Sequence, residues 1–239
     1  MLVMVAASTK LLSPNSRMPK HVILFTLIFG LLWNSSSNVH AQEVKSYQDV
    51  LRERSQKILQ SIQWKEEATR EHVLNILTAQ YVGLNEIHEK MDLLFAATKD
   101  SLLSKEEVAT KRASIATDRK LALDHLHASF LRQLSNLLST EEIDAIKDGM
   151  TYRVCPITYT AFLDMIPSLK EEEKKQILDW LVAAREEAMD QGSSNKKHEV
   201  FGKYKGRINN YLSARGYDLK KEREDWQARI KERKQGSSE

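Results

Sequence analysis

Apolar positions recur at helical spacing along most of the chain. Val73, Leu77, Leu84, Ile87, Met91 and Leu94 follow alternating four- and three-residue steps when Gln80 fills one seam position. That is a heptad-like stripe. Leu123, Leu126, Phe130, Leu134 and Leu137 form a second stripe, closer to the ordinary helical period. The two stripes predict long antiparallel helices. Helix starts are marked by Ser104-Lys-Glu-Glu107, Ser139-Thr-Glu-Glu142 and Ser168-Leu-Lys-Glu171. Each fits a capping box, in which the serine accepts from the N3 amide and the glutamate reaches back to the cap amide. Gly149, Gly192 and Gly216 stand where left-handed helix ends are expected. The predicted helices cover 43–62, 65–99, 105–138, 140–148, 169–190, 195–214 and 218–234.

One stretch breaks the pattern. Residues 151–167, TYRVCPITYTAFLDMIP, contain Pro156 and Pro167 and many β-branched and aromatic residues. They predict an irregular or extended connection with a short helix around 158–165. The fold class expected is all-α: a multi-helix bundle of long antiparallel helices plus shorter C-terminal helices. Residues 42–239 are read as one all-helical domain.

The beginning of the chain follows a different logic. Val22 to Trp33 is an apolar run interrupted only by Thr26 and Gly30, preceded by Lys20 and His21 and followed by a Ser/Asn-rich stretch ending Val39-His40-Ala41. This is the three-part pattern of a cleavable signal peptide, with the cut expected after Ala41. The run is too short to span a bilayer, which takes about 20 apolar residues. No cysteine follows it, so no lipoprotein anchor is expected. The predicted location is therefore periplasmic or secreted, with no membrane insertion after cleavage. The signal also carries the charge excess. The whole chain is formally +3, and Lys10, Arg17 and Lys20 leave with residues 1–41. The remainder is neutral but polarised: thirteen Lys/Arg face six Asp/Glu between residues 196 and 234.

Motifs for chemistry are mostly missing. A single cysteine excludes a disulfide framework and a Cys-cluster zinc site. His125 and His127 would point about 160° apart on a helix, and His72 and His88 also diverge. No metal ligands and no cofactor are predicted. Nor does the sequence hold a G-x-S-x-G, a Walker loop or a G-x-G-x-x-G after a strand. Cys155, beside Pro156 in an apolar stretch, reads as a small buried hydrophobe. A carboxylate pair for glycoside hydrolysis has no specific signature among 33 acids. No catalytic residue is predicted.

The informative segment runs from Ser194 to Asp218. On a helical wheel Phe201, Tyr204, Ile208, Tyr211 and Leu212 share an apolar-aromatic face. His198, Gly202, Gly206, Asn209 and Ser213 line a neighbouring face, and Lys203, Arg207 and Asn210 a third. Each helix-interior glycine costs about 1 kcal/mol relative to alanine. Gly202 and Gly206 thus imply close approach of something to the backbone. One reading is a neighbouring helix packed on the glycine face. The other is a ligand along it, contacted by His198, Lys203, Tyr204, Lys205, Arg207, Asn209 and Asn210, with Tyr217, Tyr152 and Trp226 nearby. Aromatic rings cover sugar C–H faces, while amides and guanidinium forks take hydroxyls or a uronate carboxylate. The ligand class expected is carbohydrate, an acidic polysaccharide foremost. Nucleic acid is not expected beyond the inner membrane.

Four blocks, KDGMTY (147–152), TYTAFLDMIP (158–167), EEAMDQGSSNKKH (186–198) and FGKYKGRINNYLSARGYDLKKE (201–222), resemble the signature of the domain of unknown function 3826 family. That family comprises secreted bacterial proteins to which sugar binding is attributed. The resemblance implies an accessory role in polysaccharide utilisation and supplies no catalytic residue. Leu138-Ser-Thr-Glu-Glu142 and Leu169-Lys-Glu-Glu172 also approximate the helix starts of small periplasmic chaperones. A chaperone or stress adaptor, and a glycan-active enzyme with unidentified carboxylates, are the alternative readings.

Overall fold

The structure, a computed structural model, describes residues 46–99 and 102–236; the expected signal peptide lies outside them. Among the described residues there are eight helices and no strands. They are α1 (Tyr47–Leu59), α2 (Glu67–Ala97), α3 (Lys105–Ser135), α4 (Thr140–Met150), α5 (Val154–Met165), α6 (Glu171–Met189), α7 (Ser194–Ala214) and α8 (Leu219–Gly236).

The heptad-like stripe builds the first core. Val73, Leu77, Gln80, Leu84 and Met91 are buried, whereas Ile87 is half-buried and Leu94 exposed. α3 pairs antiparallel with α2: Arg112 donates to Thr98 (2.8 Å), Arg119 pairs with Asp92, and Leu126 packs on Gly83. Phe130 and Leu134 bury the second stripe, with Leu123, Leu126 and Leu137 at its margin. α1 and α4 close this core. A second core forms from α5, α6 and α7 around Cys155, Phe162, Ile177, Leu181, Phe201, Ile208 and Leu212. α6 touches both cores: Ala184 and Ala188 belong to the second, and the next residue, Met189, to the first.

The capping boxes at Ser104/Glu107 and Ser139/Glu142 form as expected, and a further one at Ser46/Asp49 opens α1. The third expected box, at Ser168, does not form. Leu169 is drawn into the core (4% exposed), and α6 starts only at Glu171. Glu173 then accepts from the Lys170 amide at 2.9 Å.

Only Gly216 of the three expected helix ends is left-handed (φ +93). Gly149 lies inside α4, where an added Cβ would stand 2.6 Å from Ile58 Cγ2. It is a contact glycine between α1 and α4, not a cap. Gly192 likewise faces His88, at 2.9 Å.

The connection at 151–167 is mostly helix. α5 begins at Val154, leaving a three-residue turn after α4. Pro156 occupies the first turn of α5, where its missing N–H has no intrahelical partner to lose. Pro167 follows the last turn. Burial of Cys155 and Phe162 overrides the weak helix propensity of the β-branched residues.

Candidate functional site

α7 buries Val200, Phe201, Ile208 and Leu212 against the second core. The glycine face is open: a Cβ at Gly202 or Gly206 would meet nothing within 4 Å. Among the described residues no neighbouring helix packs there, so that reading is overturned. Beside this face, α5, α7 and α8 enclose a cleft of about 300 Å³. α7 contributes Lys205 and Asn209, one turn apart on one row. α8 contributes Arg223 and Trp226, three residues apart. α5 contributes Thr158 and the apolar floor of Ala161, Phe162 and Met165.

Trp226 is held in place by Asp164. Its indole Nε1 donates to Asp164 Oδ2 at 2.6 Å, and Arg233 donates to both carboxylate oxygens at 2.9 and 3.1 Å. These donors hold the Asp164 carboxyl below its usual range, the Trp226 bond first. Arg229 ties α8 to the carbonyls of Asp164 and Met165. The side chains of Lys205, Asn209, Arg223 and Thr158 have no hydrogen-bond or ion-pair partner among the described residues. The cleft therefore combines one anchored ring with an amide, a hydroxyl and two unneutralised cations.

The other expected residues are dispersed. The Tyr204 hydroxyl donates to Glu187 (3.3 Å), and Arg207 lies over the rings of Tyr204 (5.2 Å) and Trp180 (5.9 Å). That cluster belongs to the α6 side of α7. Tyr217 donates to Glu173 at 2.6 Å, and this bond raises the phenol to about 12. It fastens the end of α7 to the start of α6. Lys203 and Asn210 are exposed and make no hydrogen bond or ion pair among the described residues. Tyr152 stacks on His198, with centroids 5.6 Å apart and planes 16° from parallel.

Tyr152 borders a larger cleft, of about 600 Å³, between α1, α4 and α7. Its rim carries two successive left-handed residues, Tyr152 and Arg153, both at φ 57. Each costs about 1–2 kcal/mol, and the turn is held by the Arg153 amide donating to Asp148 O at 2.7 Å. At the base lies Lys197, 5% exposed. Its Nζ donates to Met150 O (3.0 Å) and Met189 O (3.3 Å), the last residues of α4 and α6. Burial, then the charge of Arg54, pulls Lys197 down to about 8.

Sequence reasoning missed Arg223, Thr158 and Lys197. Arg223 was reachable, three residues before Trp226 on one helix face. Thr158 was hidden by the irregular reading of 151–167. Lys197 resembles its exposed neighbour Lys196. Its only signal is its three- and four-residue spacing from buried Val200 and Phe201.

Among the described residues no three His, Cys, Asp or Glu converge on a metal position, and no helix is long and apolar enough to cross a membrane. The profile of a family described as protein of unknown function (DUF3826) matches residues 48–232. No curated protein matches the chain in sequence.

Proposed function

The chain belongs to the DUF3826 family, and since that description assigns no activity we propose a function from the cleft itself: the protein binds an acidic glycan between α5, α7 and α8. One observation carries this reading. An anchored tryptophan, an amide, a hydroxyl and two cations without protein partners meet in one cleft built by three helices. The Trp226 ring suits the C–H face of a sugar. Asn209 and Thr158 suit hydroxyl pairs, and Lys205 and Arg223 suit a uronate carboxylate or a sulfate ester. The open backbone at Gly202 and Gly206 leaves room for a chain longer than the cleft. No carboxylate lines the cleft, so glycoside hydrolysis by a carboxylate pair has no seat there. Export by residues 1–41 and an accessory role in polysaccharide utilisation, in the periplasm or outside the cell, complete the proposal.

The test is calorimetry against a panel of uronate-containing, sulfated and neutral polysaccharides. An acidic polymer is expected to bind and neutral glucans are not. Replacing Lys205 and Asn209 together by alanine should weaken binding about tenfold, the equivalent of one hydrogen bond to a charged group. Flat titrations across the panel would sink the reading. A chaperone reading draws on one observation, the exposed leucines Leu93, Leu94, Leu103 and Leu121 along α2, α3 and their connection. It expects suppressed aggregation of an unfolded client without any glycan binding.

A further inference from the structure

The larger cleft shares no lining residue with the α5/α7/α8 cleft. Its chemistry is also different. Arg54, Lys57, Arg153 and Lys197 bring four cations to its walls, against the single carboxylate of Glu53. Lys197 is buried yet makes no ion pair among the described residues. An ammonium carries three N–H donors, and two of them reach carbonyls that end α4 and α6. Those carbonyls sit at the negative ends of two helix dipoles, which keeps a buried cation tolerable. A clasp between helix ends explains these two donors. It does not explain the third, or why three further cations surround the same open space. Arg54 lies over the Tyr81 ring at 5.5 Å and Lys197 near it at 5.9 Å, so the aromatic wall is cationic rather than neutral.

We propose that the cleft between α1, α4 and α7 is a second binding site, for a compact oxyanion (carboxylate, sulfate or phosphate) carried on a small molecule. Arg54 and Arg153 supply planar forks for the oxygens, and Lys197 supplies its remaining N–H from below. Val50, Ile58 and Met150 give the molecule's body an apolar wall. The volume falls within the range of small-molecule sites, roughly 300–1,000 Å³. The left-handed pair at Tyr152 and Arg153 sets the ring and the guanidinium at the rim.

The pH dependence follows from Lys197 and the groups facing it. These are Arg54, Lys57 and Glu53 from α1, Tyr81 from α2, Asp190 after α6, and Tyr152 and Arg153 from the turn. Asp190 opposes the downward pull of burial and Arg54. The anion binds the protonated amine. Affinity is therefore level at neutral pH and falls as pH rises through about 8.

Calorimetry with inorganic sulfate, inorganic phosphate and glucuronate, at constant ionic strength in chloride, tests the proposal on the whole protein. At least one probe should bind in the millimolar range or tighter, and the preference among the three identifies the source of the oxyanion. Arg54→Gln should weaken that probe about tenfold, and Lys197→Met should remove the alkaline fall in affinity. Lys197 also clasps two helix ends, so Arg153→Gln guards against misfolding. Its side chain is exposed and makes no hydrogen bond or ion pair among the described residues, and the change should weaken binding several-fold while leaving the melting midpoint unchanged. No binding of any probe above the chloride background would overturn the site, as would full affinity in both arginine variants. Trp226→Ala should leave anion affinity intact, which separates this site's outcome from that of the glycan cleft.

Discussion

At the scale of single residues, charged groups that sequence could not place turn out to be joined. His125 and His127 point to opposite sides of α3, as the helical period requires. His125 is exposed, while His127 turns to α6, its Nδ1 2.8 Å from Asp190 Oδ2 and its Nε2 3.6 Å from Glu186. The Asp190 hydrogen bond raises His127 above its ordinary value of 6.5, with Glu186 adding to the rise and burial and Lys147 opposing it. A raised folded value favours the protonated native state. The gain is complete below the unfolded value and disappears as pH climbs through the folded one. His127→Gln should therefore destabilise the protein most below pH 6.5, and the deficit should shrink at alkaline pH. Urea midpoints of both proteins across that range check it. A deficit that stays constant with pH would mean that the imidazole acts through packing alone.

At the scale of elements, the sequence was legible wherever burial follows period. The stripes of α2 and α3 and the boxes at Ser104 and Ser139 were readable because their causes are local: one buried face, one hydroxyl, one carboxylate. The start of α5 was not, because Cys155 and Phe162 are stabilised in a helix by partners on α6 and α7. The glycines teach the same lesson. Gly216 serves its own backbone, and its role was visible; Gly149 serves Ile58, 91 residues earlier in the chain, and was mistaken for a cap. The cleft on α7 was half legible. Lys205, Asn209 and Trp226 were named among twelve candidates, but which side of α7 stays open depends on how α5 and α8 are docked. Gly149→Ala makes the distinction measurable. Alanine would gain about 1 kcal/mol of helix propensity, and a cap at a left-handed position is not what it would disturb. Its Cβ would instead press on Ile58 Cγ2 where α1 and α4 meet at the floor of the larger cleft, at a cost of about 1–3 kcal/mol. A net loss of about 1 kcal/mol in a denaturant titration is expected. Equal or greater stability would show that α1 moves away from α4 freely.

At the scale of the molecule, two hydrophobic cores must behave as one body if α4, α7 and their clefts are to stay aligned. The join is polar as well as apolar. Arg185, 5% exposed on α6, donates to Asp144 at 2.6 Å and to Asp148 at 3.0 Å on α4, and Lys147 pairs with Glu186 at 2.9 Å. The α4 carboxylates hold Arg185 above its usual range against the opposing pull of burial, the largest single effect. Removing a partnered buried charge strands its counter-ions, and Asp148 is the more enclosed of the two. Arg185→Ala should therefore cost about 2 kcal/mol, and for a chain of this length lower the melting midpoint by about 4–8 °C. The more telling readout is cooperativity. In the wild type, amide exchange in α2 and α7 should report one opening free energy, because Met189 and Arg185 commit α6 to both cores. In the variant, α7 should open before α2, since the second core keeps its own contacts while its charged hold on α4 shrinks to the Lys147–Glu186 pair and the Lys197 clasp. Exchange that remains matched in the two helices, at an undiminished midpoint, would mean that Met189, the Lys147–Glu186 pair, the Lys197 clasp and the short α4–α5 turn couple the halves without the arginine.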